Sequence, residues 1–552
     1  MKKIFALILV VLMLIPFVAS CRTDNGDDNT DTPTNTSTNT NTNTDTSTNT
    51  DTNTNTGTDT STNTDTDTDT NTGKPSTGKT PQEEIDAIKD SFGDELNVLA
   101  SGVFSQSSTD EGAFAPWGQV ELCILDDAGR PTAVGNAQGF GSDIHLQTYN
   151  RQKYVEDTYG ITVNYIDCGG AAMQGRLRIA AGNKDIGGEV IHIAMPRVLE
   201  AQAIVLDDSV YDINGSKYID FDASYYNQEA LDSYTLNDRT FFLAGDISFL
   251  DEHTSFVIFY NMEIASASDS FPDLYAQAHE GTWTIDTLYT LASAVSENID
   301  GSQDYTDGDK YGFGTNGLSS FYQYFGVYQV SKKDTTDGET YTLSVRDDKV
   351  STIIEKMIYA NKNESWSRTN WKGGFGAMQA AFTDNRLLFY HEVIQKLDYL
   401  SEDPDLKTGL LPFPKLNVDQ DRYYSPSASQ ATLICVPRAT DDRDMSEAFI
   451  EILSSSASEY IMPAYMNMIK KKLTPAYAEA SMRILEEEVF PNMMYDQGYM
   501  YEYGGLVSAS IQMLSIEGGV NNFEAAYGNG AKKAEDILAN WSLAYIIYED
   551  EH

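Results

Sequence analysis

The sequence predicts an α/β protein whose strands alternate with helices through crossover connections. Two observations carry this. Short apolar runs rich in β-branched and aromatic residues alternate with helical patterns that start at good capping residues. The chain has 552 residues, too many for one compact domain and enough for two.

The elements follow in order. Lys2 and Lys3 form a short positive region, and Ile4 to Phe17 is a nearly continuous apolar stretch of 14 residues. That is short for a membrane span, and small residues follow it, so it reads as an export signal over residues 1–20. The ending Val18-Ala19-Ser20-Cys21 resembles a bacterial lipobox, in which the Cys is diacylated and becomes the mature N-terminus. The competing reading is an ordinary export signal with an incidental Cys. Two acyl chains anchor stably where one does not, so Cys21 is the expected lipidation site. No later segment reaches 18 consecutive apolar residues.

Residues 21–80 form a tether of Asn-Thr and Asp-Thr repeats, expected to be disordered because it has almost no apolar surface to bury. As a coil its ends lie roughly 40–46 Å apart. Fully extended it spans about 200 Å. At its end, Gly73 to Thr80 fits the phosphate-loop pattern GxxxxGK[ST]. A phosphate loop needs a buried strand before it, and here repeats precede it, so nucleotide binding is not expected. Thr80-Pro81-Gln82-Glu83 reads instead as a capped helix start.

In the folded body, Val120–Leu125 suits a strand, 147–159 a helix, Ile161–Ile166 and Val190–Ala194 further strands, and Phe256–Asn261 a fully buried strand. Thr284 caps a helix with Ile285, Leu288, Leu291 and Val295 on one face. Asp444 begins another, carrying Met445, Ala448, Phe449, Ile452 and Leu453 inward. A final helix carries Ala534, Ile537, Leu538, Trp541, Tyr545 and Tyr548.

Charge narrows the partners. Against 83 acidic residues there are 37 Lys and Arg, a formal net charge of −46. That argues against nucleic acid, which requires clustered cations to neutralise phosphate. Aromatic residues make up 11%, with 33 Tyr against 23 Phe and 5 Trp. Tyr offers a flat apolar face and a hydroxyl, a combination that suits sugars and also ordinary cores. After Cys21, three cysteines remain at wide spacings: Cys123, Cys168 and Cys435. One disulfide plus a free thiol, or three buried thiols, both fit, and no zinc pattern with His is present. With no cofactor expected, calcium is the weak alternative at Asp304, Asp307 and Asp309, whose loop misses EF-hand spacing; a solvated turn is the expected reading. Gly312 to Gly317 matches GxGxxG, but no buried strand precedes it, so a dinucleotide site is discounted.

Several segments resemble extracellular solute-binding protein family 1, the sugar-binding components of bacterial ABC importers. The run Phe241-Phe242-Leu243-Ala244-Gly245-Asp246, followed by Phe259-Tyr260-Asn261, is similar to the family's "gk-yf-GD … YN" passage. Gly281-Thr282-Trp283-Thr284-Ile285-Asp286 resembles its "kWTwd" helix start, and Asp307 to Gly312 its "DGkYG" turn. Leu410 to Lys415 resembles its "lPfPk" stretch, and Met462-Pro463-Ala464-Tyr465 has the family look. These landmarks keep the family's order from near 215 to 500. Two departures stand out. Residues 81–140 are longer than the family's usual lead-in to its first strand. Asp222 to Asn227 also stands where many members have paired Trp.

The resemblance implies a two-lobed periplasmic-binding-protein-like fold of type II, its discontinuous lobes joined by a hinge. Lobe I would take residues 81–255 and 412–458, and lobe II residues 256–411. Residues 459–552 would be C-terminal helices, mainly of lobe II. The crossings fall near Ser255–Asn261 and Leu411–Lys415. The resemblance further implies a lipid-anchored monomer on the extracytoplasmic face of the cell membrane. It is not an enzyme there, and it delivers a sugar or oligosaccharide, trapped by hinge closure, to ABC permease subunits. The rivals are a surface glycoside hydrolase working with two carboxylates and an adhesin.

Sugar sites pair stacked aromatics with polar side chains. Trp366 and Trp371 flank Arg368 and Asn370, the most sugar-like cluster in the chain. Tyr322 lies in an aromatic run; Tyr390 and Glu392 follow Leu387-Leu388-Phe389 at a strand end, beside His391, read as a satisfied surface histidine. Tyr423 and Tyr424 follow the return crossing, and Asp246 precedes the first. These make Trp366, Trp371, Tyr322, Tyr390, Glu392, Tyr424 and Asp246 the candidate ligand residues, with core packing the competing reading for each aromatic. Trp283 is expected to pack under its helix start.

Overall fold

The computed structural model divides the chain into two units, Met1–Lys74 and Pro75–His552. It describes residues 121–126, 143–167, 173–183, 190–268, 271–315, 321–363, 365–369, 374–427, 430–496 and 520–547, all in the second unit. The export signal, Cys21, the tether and the expected helix after Thr80 lie outside the described residues.

The first sheet is a parallel one. Strand β1 (Glu121–Asp126) is followed by helix α1 (Asp143–Tyr159), strand β2 (Thr162–Asp167), helix α2 (Met173–Asn183) and strand β3 (Ile193–Ala194). The order is β2-β1-β3, with Cys123 opposite Asn164 and Leu125 opposite Ala194. Parallel neighbours need crossover helices, which α1 and α2 supply. The sheet is completed from far along the chain. Ala194 and Cys435 exchange both backbone hydrogen bonds at 3.0 Å, and Leu243 and Ile434 do the same at 3.0 and 2.8 Å. The buried Arg151 of α1 donates from Nη1 to the carbonyls of Ile247 (2.7 Å) and Leu453 (3.3 Å), tying three distant segments together. Cys435 is a free, buried thiol.

The second sheet has five strands: β4 (Phe256–Asn261), β5 (Tyr311–Thr315), β6 (Ser367–Arg368), β7 (Leu387–Val393) and β8 (Thr408–Leu411). Their order is β6-β5-β7-β4-β8. β5, β6 and β7 run parallel, whereas β4 lies antiparallel to both β7 and β8. Buried on both faces, β4 and the first half of β7 read as continuous apolar runs, as such strands should. Asn261 ends β4 and turns the chain, its Oδ1 accepting from Glu263 N at 3.1 Å and Ile264 N at 3.0 Å. Helix α3 (Ile285–Val295), capped by Thr284, lies against β5 so closely that a Cβ at Gly312 would sit 2.1 Å from Ala292 Cα. The GxGxxG glycines that are described, Gly312 and Gly314, are thus inside a strand and serve packing.

Three segments cross near Phe256. The first leads into β4, where Ile394 N donates to Ser255 O at 2.9 Å. The return comes later than Leu411–Lys415. Trp283 Nε1 donates to Pro412 O (3.0 Å), Lys415 bonds through its backbone to Trp283 and Ile285, and Tyr423 OH donates to Ala278 O (3.0 Å). These bonds hold residues 412–423 on the second sheet's side. Ser425 then reaches Phe256 O with its Oγ at 3.4 Å. Ser425 and Pro426 pair in parallel with Met493 and Met494, the third crossing.

Helix α4 (Arg443–Ser455) packs on the first sheet and is capped by Asp442, which accepts from Met445 N at 2.9 Å, two residues before the expected Asp444. The C-terminal region serves both halves rather than mainly the second. Lys471 pairs with Asp143 of α1, while Ser481 Oγ accepts from Leu410 N of β8 at 3.1 Å. The last helix, α5 (Phe523–Ile547), lies over the hairpin Val330–Leu343, with Trp541 4.7 Å from Tyr341 by ring centroid. Its Tyr545 ring also lies 4.9 Å from Phe241 of the first half. Glu339 at the hairpin's tip and Asn237 exchange hydrogen bonds of 2.6 to 3.0 Å. Among the described residues no helix is long and apolar enough to cross a membrane.

Candidate ligand-binding cleft

Open α/β sheets bind ligands off the carboxyl ends of their strands. Here both sets of ends point at the crossings. β7 runs towards Val393, paired with Phe256 at the start of β4, and its parallel neighbours end at Thr315 and Arg368. In the first sheet, β3 leads through Pro196 and Arg197, which meet the segment Ala431–Leu433 just after the return crossing. Arg197 Nη1 donates to Gln430 Oε1 at 3.3 Å, and its Nε lies 3.4 Å from Glu200 Oε2. The topology therefore brings both sets of strand ends to the crossings at residues 255–256, 425–427 and 493–494, the position that a ligand cleft takes in such sheets.

Of the expected ligand residues, Asp246 fits this position best. Gly245 before it takes φ +150°, and a Cβ there would lie 2.1 Å from Tyr225 O, so only glycine permits the turn. Asp246 N then donates to Tyr225 O at 2.9 Å. Its half-buried carboxyl has no hydrogen-bond partner among the described residues. Burial first, then the neighbouring Asp251, push its pKa up to about 7. Glu252 is pushed well above the usual range by burial and by the same two carboxylates. Asp251 accepts from Thr432 N (3.1 Å) and Tyr495 OH (2.8 Å), which binds the first crossing to the other two chain passages.

Most of the aromatic candidates belong to the core. Trp366 is 5% exposed, with its ring 5.0 Å from Tyr289 and 5.7 Å from Tyr359 between two helices. Tyr390 is wholly buried between Phe259 and Phe382, and its hydroxyl has no hydrogen-bond partner among the described residues. Tyr322 is wholly buried in the helical turn Phe321–Tyr324. Glu392 is buried on the Tyr390 side of β7, and its Oε1 accepts from Val393 N at 3.0 Å. Burial raises its pKa despite that bond. Tyr390 and Glu392 lie in a strand buried on both faces, whereas Trp366 and Tyr322 are enclosed in turns beside helices. Trp371 lies outside the described residues. Trp283 packs beneath α3, 5.5 Å from Phe389.

Tyr424 is mostly buried yet sits in a polar group that joins the halves. Its hydroxyl donates to Asp421 (3.1 Å), and the Arg422 guanidinium stands 4.8 Å from its ring. Arg422 Nη2 in turn donates to Glu229 Oε2 at 3.2 Å, and Tyr328 OH donates to the same carboxylate. Glu229 belongs to the helix Gln228–Tyr234 of the first half.

His391 was not foreseen as buried. It lies between Thr315 Oγ1 (3.0 Å from Nδ1) and Tyr324 OH (2.7 Å from Nε2), against the rings of Phe256 and Phe413. Burial drives its pKa down to about 3, so the ring is neutral. Tyr324 stacks on Phe413 at 4.0 Å. This aromatic group at the ends of β5 and β7 gives the cleft floor a rigid, uncharged base. The only sequence signal for it was the aromatic run around Tyr324.

The acidic loop Asp300–Asp309 is closed by its own donors. Asp309 accepts from Ile299 N and Thr306 N, both at 2.7 Å, and Asp307 Oδ1 takes Nε and Nη2 of Arg368 at 3.0 and 2.7 Å. Two of the three carboxylates considered for calcium are therefore committed to the loop and to Arg368.

No family model matches the chain, and no curated protein matches it. Solved structures do. An ABC substrate-binding protein from Listeria monocytogenes, in complex with cycloalternan, superposes with a TM-score of 0.50 at 14% identity. The match covers 76% of this chain and 99% of that one. A cyclo/maltodextrin-binding protein complexed with maltotetraose gives a TM-score of 0.50 at 10% identity, covering 80% of this chain and 99% of that one. The fold is thus the two-lobed α/β periplasmic-binding-protein fold of type II, with discontinuous lobes joined by a hinge.

Proposed function

We propose that the chain is the solute-binding component of an ABC importer for a sugar or oligosaccharide. In this reading it belongs to solute-binding protein family 1 and is held outside the cell membrane by a lipid on Cys21. The convergence of both sets of strand ends on three crossing segments carries the proposal. It makes a cleft whose two walls move relative to each other about short, backbone-paired passages. The likeness in fold to two proteins solved with cyclic or linear oligosaccharides supports a carbohydrate guest.

Asp246 accepts from ligand hydroxyls on the first-lobe wall, and the His391, Tyr324 and Phe413 group braces the floor. The guest shifts the open–closed equilibrium by its preference for the closed form, and permease subunits recognise that closed face. It leaves unchanged, as cargo and not as substrate. The tether of residues 21–80 lets the folded body stand off from the membrane surface.

A thermal-shift screen of the untagged protein against mono- and oligosaccharides tests this. A sugar at one hundred times its Kd stabilises by about 2.7 kcal/mol and raises the melting temperature. Binding with no product on chromatography is the expected result. A flat screen across linear and cyclic glucans and common disaccharides, or the appearance of cleaved sugar, would overturn the proposal.

A further inference from the structure

Away from the cleft, two neighbouring glutamates and a histidine from distant segments converge. His279 ends the helix Leu274–His279, and Glu487 and Glu488 lie in the turn Leu485–Val489. His279 Nδ1 stands 3.3 Å from Glu487 Oε2 and 3.8 Å from Glu488 Oε1. All three donor atoms lie within 4.8 Å of one another.

The backbone explains how consecutive residues reach one partner. In an ordinary α-helix they diverge by about 100°. Leu485–Val489 is instead a π-helical turn, a wider form that recurs at functional sites, and it brings successive side chains closer in direction. The second oxygen of Glu487 is already used: Oε1 accepts from Arg483 Nε at 2.8 Å, leaving Oε2 turned to the histidine. Such a bond from an outer partner orients a carboxylate ligand.

We infer that His279, Glu487 and Glu488 form a site for one divalent transition-metal ion of the zinc class. One imidazole nitrogen and two carboxylate oxygens suit a tetrahedral ion with water in the fourth position. With metal–ligand bonds of about 2.0–2.1 Å, tetrahedral geometry separates ligand atoms by about 3.3 Å. The His279–Glu487 distance of 3.3 Å meets that spacing, and the Glu488 oxygen, 3.8 Å from His279, would have to draw in as an ion bound. Both segments belong to the second lobe's side, since the helix 274–279 adjoins Trp283 and Tyr423. The ion would therefore clip a late segment of the chain onto that lobe without entering the cleft.

Cobalt(II) serves as the probe, because a tetrahedral site gives it a distinctive visible absorption. Untagged, chelator-treated protein should bind one Co²⁺ per chain and release it to added Zn²⁺. His279→Ala should abolish the absorption, and Glu488→Gln, a near-isosteric change, should weaken binding at least tenfold. Circular dichroism and the melting temperature of the metal-free variants should match the parent, which separates lost ligation from lost folding. Absence of binding, or binding unaltered in both folded variants, would overturn the site and leave His279 paired only with carboxylates. Sugar binding is expected to be the same with and without metal, so this result stands apart from the proposed transport role.

Discussion

Replacing Asp246 with Asn should stabilise the sugar-free protein at neutral and alkaline pH. The carboxyl pKa is raised to about 7 by burial and by Asp251, from 3.8 in the unfolded chain. Stability linked to a raised carboxyl is fully present below the unfolded pKa, falls as pH climbs from about 4 to 7, and is gone above that. A shift of about 3 units at 1.36 kcal/mol each gives an upper bound of about 4 kcal/mol. Because the group is half-buried and shares its field with Asp251 and Glu252, about 1–3 kcal/mol is the expected gain. Asn keeps the shape and removes the charge. Calorimetry at pH 4.5 and 8 should show D246N melting a few degrees above the parent at pH 8, with the gap nearly closed at pH 4.5. A gap independent of pH, or a D246N protein less stable at pH 8, would refute the reasoning. The same substitution should weaken the sugar found in the screen at least tenfold, the usual exchange between stability and a site held in readiness.

Three other changes probe the frame. Gly312→Ala puts a Cβ against the backbone of Ala292 and should cost about 1–3 kcal/mol in urea unfolding, at the upper end because backbone cannot yield. Gly314→Ala meets side chains alone, Leu387 at 2.7 Å and Met378 Sδ at 3.3 Å, and should cost less, so equal losses would count against the packing account. Tyr390→Phe removes a buried hydroxyl that has no partner among the described residues and should leave stability equal or up to about 1 kcal/mol higher, with sugar affinity unchanged. A loss of affinity would return Tyr390 to the ligand set. Asp309→Ala removes the acceptor for Ile299 N and Thr306 N and should lower the melting temperature by several degrees, with or without added calcium. Restoration by calcium in the parent after chelation would show that the loop needs an ion after all.

The fold was more legible than the cleft. Strand Phe256–Asn261 and the Thr284 cap could be read directly, because a run buried on both faces and a side-chain cap are local features. The same runs do not say which of their side chains stay enclosed. Tyr390 and Glu392 follow Leu387-Leu388-Phe389, and nothing local says that β7 stays enclosed through its end by Phe256, Phe259 and Phe382. Trp366 looked sugar-like beside Arg368, yet that guanidinium turns to Asp307, some sixty residues earlier. The return crossing was placed too early since the bonds of Lys415 to Trp283 and Ile285 depend on a turn formed elsewhere. Buried His391 depends on Tyr324 and Thr315 meeting across two strands, a relation no spacing encodes.

The first sheet borrows Cys435 for Ala194, and Tyr545 of the last helix closes on Phe241. The first half cannot finish while its own early strands are being made. A growing chain must hold β1 to β3 without their partner until over two hundred further residues have emerged, which favours slow, late assembly. In the proposed role the chain crosses a membrane as an open thread, and such a delay would keep it from setting hard before its tail arrives.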